Sequence, residues 1–433
     1  MNVIEELRWR GLLQDAMPGT EAFLNAAPRT VYLGVDPTGS SIHIGNLVAL
    51  MMLVHMQRAG HHPVALVGGA TAMVGDPSGK DKERQLLSIE EIRYNSECIR
   101  RQIAHFLRFE DVPNPAVMVN NYDWLGQMGF LEFLRDVGKH LTVNYMMSKE
   151  SVRRRMEGDS GISYTEFAYQ LLQGYDFLHL YQHRGVQLQV GGSDQWGNIT
   201  TGTELIRRKL GPEAEAYGAV CPLLTREDGS KFGKTADGQS IWLDPARTSP
   251  YAFYQYWRNA ADADAGRYIR IFTLKPQEEI EALAGSHAAA PHLWALQKAL
   301  AEDVTRRVHG EAGLAQALKL TEFLFGGGNT REALAALQPE EWQAVTQAPE
   351  AHTLQIPRAR LEQGVGVIDL LHELGIAASK GEARRAIEKD RSIRLNAERV
   401  DSLEQTAGLA DLFHGRYLQI QKGKRDRYIV TAV

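Results

Sequence analysis

The first half of the chain alternates short apolar runs with amphipathic ones, which limits its possible folds more than any other feature. Four runs have the composition of buried β-strands: 31–35, 62–69, 116–121 and 186–192. Helical patterns separate them, so we expect an α/β domain with a parallel sheet covered on both faces. Ligands in such sheets bind beyond the carboxyl ends of the strands. The polar residues that follow Val35, Gly69, Val119 and Val190 should therefore converge on one crevice.

The first strand leads into a turn and then a helix, in the sequence VYLGVDPTGSSIHIGN (31–46). Pro37 and Gly39 favour the turn, and an apolar helical run begins after His43. A helix N-terminus presents unpaired backbone N–H groups and suits phosphate. His43 is thus a candidate functional residue, although a histidine with a structural role is the stronger interpretation of this segment alone.

The rest of the chain divides by composition. Residues 249–325 contain helical patterns without strands, and 326–360 are weakly periodic, as expected of a linker. From 361 onwards, two short helices lead into β-rich sequence. We predict an α/β sheet domain (1–225), a loop and all-α domain (226–325), a linker (326–360) and a small α+β domain (361–433).

Composition and charge exclude several classes of protein. No apolar run approaches the ~20 residues of a membrane span, and the N-terminus lacks a signal-peptide core. Cys98 and Cys221 form neither a disulfide framework nor a metal knuckle, which predicts a cytoplasmic protein. The net charge is −5, but residues 376–433 carry twelve Lys/Arg and eight Asp/Glu, a net of +4. On charge alone, a solvated surface explains this basic tail better than a nucleic-acid contact.

The usual nucleotide motifs do not fit. The first strand–helix turn lacks G-x-G-x-x-G, and the glycine–lysine segments at 75–80 and 229–235 are too short for a P-loop. The segment KFGKT (231–235) is still a candidate phosphate-binding motif, because it has two lysines three residues apart on a glycine-bounded loop. Such lysines suit a polyphosphate whose charge develops as it departs. An exposed basic loop is the simpler interpretation, but this motif together with His43-Ile44-Gly45-Asn46 on one α/β chain favours nucleotide chemistry.

These motifs together resemble the bacterial tyrosyl-tRNA synthetases, which are class I aminoacyl-tRNA synthetases. His43-Ile44-Gly45-Asn46 corresponds to the HIGH signature of that class and KFGKT to KMSKS. The resemblance covers nearly the whole chain and includes further segments: 31–38, 65–80, 120–125, 164–181 and 186–199. It implies a Rossmann-like catalytic domain, an all-α anticodon-binding domain and a small α+β RNA-binding domain similar to one in a small-subunit ribosomal protein. Tyrosine, ATP and tRNA-Tyr would be the substrates, and the chain would form a homodimer.

The resemblance also implies a tyrosine site. Tyr169, Gln173 and Asp176 are spaced by four and three residues, so they share one face of a helix. Asp176 and Tyr32 would contact the phenol hydroxyl of tyrosine. Tyr169, Gln173 and Asp76 would hold its α-ammonium group.

For ATP, the resemblance implies a second set of residues. The adenylate and phosphates would be contacted by Gly34, Asp36, His43, Gly45, Asn46, Gly192, Asp194, Gln195, Lys231 and Lys234. Charge stabilisation would come from Thr38, His43, Lys231 and Lys234, with Lys80 and Lys82. Mg²⁺ would arrive with ATP, and we predict no metal site built from protein side chains. Asn46 departs from the signature, whose last residue is histidine.

In the basic tail, the resemblance points to tRNA contacts at Lys380, Arg384, Arg385 and Arg394. Two alternatives stay open. A tryptophanyl-tRNA synthetase would share the fold and signatures, although Tyr32 with Asp176 suits a phenol better than an indole. A non-catalytic RNA-binding protein could keep the fold, although His43, Lys231, Lys234 and Asp194 count against that.

Overall fold

The computed structural model describes residues 2–78, 87–158, 161–234, 238–326, 330–346, 351–423 and 426–433. Lys80, Lys82 and Thr235, which the sequence predictions include, lie outside the described residues. The chain forms two compact units. Unit 1 contains residues 1–248 and 256–308, and unit 2 contains 249–255 and 309–433.

A six-stranded sheet organises unit 1, with strand order β1-β6-β5-β2-β3-β4. Its strands are β1 (Asp15–Ala16), β2 (Thr30–Val35), β3 (His62–Val67), β4 (Val117–Asn120), β5 (Val186–Gly192) and β6 (Tyr217–Cys221). All pairs are parallel except β1 with β6. The predicted parallel α/β sheet is therefore confirmed, and each of the four strand-like runs contributes a strand.

Helices connect and cover these strands. They are α1 (Val3–Arg10), α2 (Thr20–Ala26), α3 (Ile44–Arg58), α4 (Ile89–Ile103), α5 (Tyr122–Leu125), α6 (Phe130–Asp136), α7 (Val143–Met147), α8 (Glu150–Glu157), α9 (Tyr164–Arg184) and α10 (Trp196–Leu210). Ser88 caps α4 in a capping box with Glu91, as its sequence indicates. Residues 124–140, which the sequence predicts as helical, instead form the short helices α5 and α6 with a turn at Gly126–Gly129. In the part of the chain that the structure describes, no helix is long and apolar enough to span a membrane.

Four helices follow the sheet: α11 (Pro250–Arg258), α12 (Asp262–Phe272), α13 (Gln277–Ala289) and α14 (Ala295–Phe325). The all-helical character of 249–325 is thus as predicted, but the compact units do not follow the predicted boundaries at 225 and 325. Residues 256–308 instead form part of the same compact unit as the sheet. For example, the buried Arg10 guanidinium of α1 donates to three carbonyl oxygens at the end of α12, including that of Thr273 at 2.9 Å. A non-helical Gly310, with φ of 71°, interrupts α14.

Unit 2 contains a five-stranded sheet of order β10-β9-β12-β13-β7 and a separate two-stranded ladder. The strands are β7 (His352–Ile356), β8 (Val365–Gly366), β9 (Ile393–Leu395), β10 (Glu398–Arg399), β11 (Thr406–Ala407), β12 (Tyr417–Lys422) and β13 (Asp426–Ala432). The helices are α15 (Arg331–Ala335), α16 (Pro339–Thr346), α17 (Arg358–Glu362), α18 (Val367–Glu373) and α19 (Lys380–Glu388). The predicted α+β composition of the C-terminal part is confirmed.

The prediction of a linker at 326–360 is wrong for its described residues. They form α15, α16 and β7, and β7 pairs in parallel with the last strand, β13. Trp342 of α16 is fully buried and stacks on Tyr417, with ring centroids 5.3 Å apart and planes 7° apart. Two helices of five and eight residues are too short to show periodicity in the sequence, and the partners of Trp342 lie far along the chain.

Replacing Trp342 with alanine should therefore destabilise unit 2. Loss of a buried aromatic side chain costs about 3–5 kcal/mol. In the full chain, we expect amide exchange in peptides from β12 and β13 to accelerate by about 10²-fold, measured by mass spectrometry. Gln343→Ala changes an exposed position on the same helix and should leave exchange unaltered. Wild-type exchange in Trp342→Ala would contradict the structural role assigned to this segment.

Candidate active site at the carboxyl edge of the sheet

Polar side chains that follow β2, β3 and β4 meet at the carboxyl edge of the sheet, as predicted. The Thr71 hydroxyl donates to Asp36 Oδ1 at 2.7 Å, and Asn121 Nδ2 donates to Thr71 Oγ1 at 3.0 Å. From α9, the Tyr169 hydroxyl donates to the other Asp36 oxygen at 2.7 Å. Residues from four elements thus form one hydrogen-bonded network.

Asp176 lies at the far end of this network and is 2 % exposed. Asn121 Nδ2 donates to its Oδ2 at 2.9 Å, and the Trp124 indole N–H donates to its Oδ1 at 2.8 Å. Burial raises the pKa of Asp176 to about 7, against the effect of these two hydrogen bonds. A carboxylate offers about four lone-pair sites, so it can accept a further donor from a ligand.

Tyr32 of β2 faces the same region. Its ring packs edge-on against Phe177, and its pKa is raised well above the usual value by burial and by the Asp176 charge. Among the described residues, its buried hydroxyl has no hydrogen-bond partner. Buried polar groups in native proteins nearly always have partners, so an orphan hydroxyl beside a buried carboxylate is a candidate ligand position.

A second cluster surrounds Asp76. Gln195 Nε2 donates to Asp76 Oδ2 at 2.8 Å, and the Ser78 backbone N–H donates to Oδ1 at 2.9 Å. Asn198 Nδ2 lies 3.0 Å from Gln173 Oε1 and 3.4 Å from Asp76 Oδ1. These oxygen-rich groups could accept hydrogen bonds from an ammonium group. The resemblance implies that Gln195 contacts the adenylate or phosphates, whereas in the structure its amide nitrogen donates to Asp76.

His43 is the N-cap of α3. Its Nδ1 accepts hydrogen bonds from the backbone N–H groups of Gly45 at 3.1 Å and Asn46 at 3.3 Å. Asn46 Oδ1 reciprocates by accepting from the His43 N–H at 3.4 Å, which completes a capping box. Because Nδ1 is an acceptor, the neutral ring carries its proton on Nε2. A Cβ atom on Gly45 would lie 2.9 Å from the imidazole, so glycine is required for this ring position.

The loop that carries Lys231 and Lys234, called the lysine loop below, lies against the start of α3. The Ile44 N–H donates to Ile241 O at 3.0 Å, and His43 and Trp242 form a bridge. A Cβ on Gly233, where φ is +80°, would lie 3.2 Å from Ile44 Cγ1. The structure therefore brings together the two motifs, which are almost 190 residues apart in sequence.

The loop holds its two lysines differently. Lys231 is exposed, whereas Lys234 Nζ donates to Ser240 Oγ at 2.8 Å. Between them, Phe232 is buried and stacks on Phe272, with ring centroids 5.4 Å apart. The Tyr256 hydroxyl accepts a hydrogen bond from the Gly233 N–H at 3.1 Å.

The remaining predicted ATP residues lie around the strand ends. Gly34, the last residue but one of β2, is exposed to solvent, and exposed Thr38 donates its N–H to Asp36 O at 2.8 Å. At the end of β5, a Cβ atom added to Gly192 would lie only 2.6 Å from Asp194 Oδ1, so the Asp194 carboxylate lies close to this glycine. Burial and the Asp194 charge raise the pKa of Cys221 to about 12, so this thiol is protonated at physiological pH.

The predicted tRNA residues lie in unit 2. Arg384 and Arg385 are exposed on α19, and Arg394 is exposed on β9. Lys380 Nζ forms an ion pair with Asp369 Oδ1 at 2.7 Å. Arg384, Arg385 and Arg394 are therefore exposed to solvent. Among the described residues, none of these three forms an ion pair with Asp or Glu, whereas Lys380 does.

Four residues of the site were not singled out from the sequence: Thr71, Asn121, Trp124 and Asn198. Their hydrogen bonds hold the predicted ligand-binding carboxylates. The position of Asn121 directly after β4 was a usable signal, because polar residues at strand ends were expected to converge. The same signal applies to Thr71, which follows Gly69, whereas nothing local distinguishes Asn198, whose partners Gln173 and Asp76 lie 25 and 122 residues away.

Comparisons with known proteins agree on one family. Residues 24–326 match the family described as tRNA synthetases class I (W and Y), and 350–430 match the tyrosine–tRNA ligase SYY-like C-terminal domain. The chain is 53% identical to the tyrosine–tRNA ligase of Bacteroides thetaiotaomicron over 100% of both chains. It is also 53% identical to the tyrosine–tRNA ligase of Porphyromonas gingivalis over 99% of both chains.

Solved structures share the fold. A C-terminally truncated mitochondrial tyrosyl-tRNA synthetase from Coccidioides posadasii is 31% identical, with a TM-score of 0.65 over 74% of this chain and 91% of that one. At 14% identity, a tryptophanyl-tRNA synthetase from Encephalitozoon cuniculi shares the fold alone, with a TM-score of 0.51 over 72% of this chain and 87% of that one. The full-length identities, together with both family matches, show that this chain belongs to the class I tRNA synthetases, among the tyrosine–tRNA ligases.

Proposed function

We propose that the crevice at the carboxyl edge of the sheet is where this ATP-dependent ligase activates L-tyrosine, before transferring it to the 3′ end of tRNA-Tyr. The observation that carries the assignment of the site is the buried Tyr32 hydroxyl, without a partner among the described residues, near the buried Asp176 carboxylate. Together they offer one donor and one acceptor to a phenol hydroxyl. A ligand with a flat apolar body and a phenol satisfies both groups.

The two ends of tyrosine would be recognised by separate clusters. Its phenol meets Tyr32 and Asp176, and its ammonium group meets the oxygens of Asp76, Gln173 and Tyr169. The Tyr169 hydroxyl already donates to Asp36, so its lone pairs are left to accept from the ammonium. Phenylalanine would leave Asp176 and Tyr32 unpaired, and the roughly 10⁵-fold rejection that follows is a known example taken from this enzyme family. An indole would not place a hydroxyl between these two groups, which disfavours a tryptophan enzyme.

MgATP would bind as a substrate between the strand ends and the start of α3. The base and ribose would lie along Gly34, Gly45 and Gly192, with Asp194 accepting from the ribose hydroxyls. Thr38, the Nε2–H of His43 and the lysines at 231 and 234 would contact the phosphates. Asp36 is already fixed by Thr71 and Tyr169, so it would border both substrates.

The chemistry requires positioning and charge stabilisation. The tyrosine carboxylate oxygen attacks the α-phosphorus, an acyl–phosphate bond forms, and the bond to the pyrophosphate oxygen breaks. The lysine loop, held against α3, would stabilise the charge on the departing pyrophosphate. A ribose hydroxyl of tRNA then attacks the activated carbonyl and releases AMP, so no covalent enzyme intermediate is needed.

A second copy of the chain is the partner that we propose for α6. This helix exposes Phe130, Leu131 and Leu134, at 64%, 78% and 37% of their surfaces. Adjacent large apolar side chains on one short helix indicate a protein contact, and a two-fold symmetric contact buries the same patch on both subunits.

The exposed basic side chains Arg384, Arg385 and Arg394 would contact tRNA phosphates. The free cysteines fit action in the cytoplasm.

Replacing Asp176 with alanine tests the tyrosine site. Loss of the buried acceptor should lower kcat/KM for tyrosine in ATP–pyrophosphate exchange by at least about 10²-fold. Activity with phenylalanine should not fall, so the preference for tyrosine should collapse. Asp123→Ala removes an exposed carboxylate nearby and serves as the control. Retained activity and selectivity in Asp176→Ala, or wild-type exchange driven equally by phenylalanine, would contradict this assignment.

Replacing Gly45 with alanine tests the role of His43. The new Cβ would displace the imidazole and break the cap, so the rate of tyrosine activation should fall by about 10²-fold. The dissociation constant for tyrosine alone should stay within about twofold, because the phenol and ammonium sites are unaffected. Gly285→Ala, at an exposed helical glycine with open space around it, is the control. An unchanged activation rate would remove His43 from the phosphate site.

Replacing Leu131 with aspartate tests the homodimer. A charge in the centre of the exposed patch should convert a wild-type dimer into a monomer, as measured by sedimentation velocity. Leu293→Asp places the same charge at another exposed leucine and should leave the dimer intact. A monomeric wild-type protein at micromolar concentration would disprove the proposal, as would a dimeric Leu131→Asp variant.

A further inference from the structure

Two histidines share the face of α9 that carries Asp176. The positions 176, 179 and 183 are three and four residues apart, so their side chains follow one another along the helix. The ring of His179 stacks on Trp124, with centroids 4.4 Å apart and planes 14° apart. The ring of His179 also contacts that of His183, with centroids 4.4 Å apart and planes 41° apart. Trp124, His179 and His183 therefore form a column of three rings beside the tyrosine site.

Trp124 takes part in two interactions at once. Its indole N–H donates to Asp176 Oδ1 at 2.8 Å, while its ring lies on His179. The direction of the N–H depends on the plane of the indole. Stacking on His179 fixes that plane. A turned indole would leave the buried Asp176 carboxylate with one donor fewer and free to shift.

We propose that His179 is a positioning residue for tyrosine recognition, which acts by holding the Trp124 indole in the plane that directs its N–H to Asp176. This inference rests on the proposed role of Asp176 in binding the phenol. Aromatic stacking stabilises one relative orientation of two rings beyond the area that they bury, so the His179 ring favours one orientation of the half-buried indole.

The ionisation of His179 is consistent with this role. Burial, with the nearby His183 and Arg184, lowers the pKa of His179 to about 4, so the ring is neutral at physiological pH. Asp36 supplies the other charge that acts on the pKa of Asp176, alongside burial and the two hydrogen bonds. The effect of His179 on the carboxylate thus passes through the indole rather than through its own charge.

Kinetics of ATP–pyrophosphate exchange can separate this role from a general structural one. In His179→Ala, KM for tyrosine should rise about tenfold, while kcat and KM for ATP stay within about twofold. Activity with phenylalanine should be unchanged, so the preference for tyrosine should fall about tenfold. His179→Phe keeps a flat ring and should restore KM for tyrosine to within about threefold of wild type. His105→Ala removes an exposed histidine elsewhere and is the control.

A double-mutant cycle tests the route through Trp124. Trp124→Phe keeps a ring but removes the N–H, so adding His179→Ala should raise KM for tyrosine by less than twofold further. A wild-type KM for tyrosine in His179→Ala would overturn the inference. The inference would also be overturned if His179→Ala raised KM for ATP and lowered activity with phenylalanine to the same extent. A His179→Phe variant that did not restore KM for tyrosine would overturn it too, as would a full tenfold rise in KM for tyrosine on adding His179→Ala to Trp124→Phe. If Asp176→Ala retains tyrosine selectivity, the phenol site itself is wrong, whereas a defective Asp176→Ala with a normal His179→Ala refutes this inference alone.

Discussion

A buried carboxylate has to be surrounded by donors, and this requirement at Asp176 organises the carboxyl edge of the sheet. Asn121 supplies one donor and is itself fixed by the Ala70 N–H, which donates to its side-chain oxygen at 2.8 Å. The same amide reaches Thr71, and Thr71 reaches Asp36. The Asp176 carboxylate, together with that of Asp36, thus links groups from the ends of β2, β3 and β4 with groups on α9. Such a network resists rearrangement, because any broken bond leaves a buried polar atom unsatisfied.

The two halves of the crevice follow different physical rules, in keeping with their proposed substrates. The tyrosine side consists of buried groups whose positions are fixed by packing and hydrogen bonds, as a small and nearly neutral phenol requires. Around α3, the relevant groups are a capped helix start and lysine side chains within reach of solvent. Asn46 belongs to that second half. Its side-chain oxygen completes the capping box by accepting from the His43 backbone N–H, a structural task that does not require the histidine usual in the signature.

Local sequence patterns were sufficient for the four strand-like runs and for the shared helix face of Tyr169, Gln173 and Asp176, although only their joint occurrence on one α/β chain linked the histidine and lysine motifs. They were insufficient where the deciding contact is distant. The segment around Trp342 has no clear periodicity, yet it folds because Tyr417 and β13 are available to it. Likewise, Asn198 is one polar residue of α10 among several, and its partner on Asp76 is 122 residues away. The column of rings at Trp124 also depends on how α5 meets α9, which spacing within either helix does not reveal.

The burial of Phe232 has an energetic consequence for the two lysines beside it. Its ring is packed against Phe272 and near Tyr268 and Trp257. Any opening of the loop that withdrew this ring would expose it to water, at a cost of about 2–3 kcal/mol. The closed arrangement is therefore favoured before ATP arrives, by hydrophobic burial rather than by attraction to phosphate. The equilibrium between open and closed loop should then depend weakly on salt, although the phosphate contacts that we propose for the same loop would depend on it strongly.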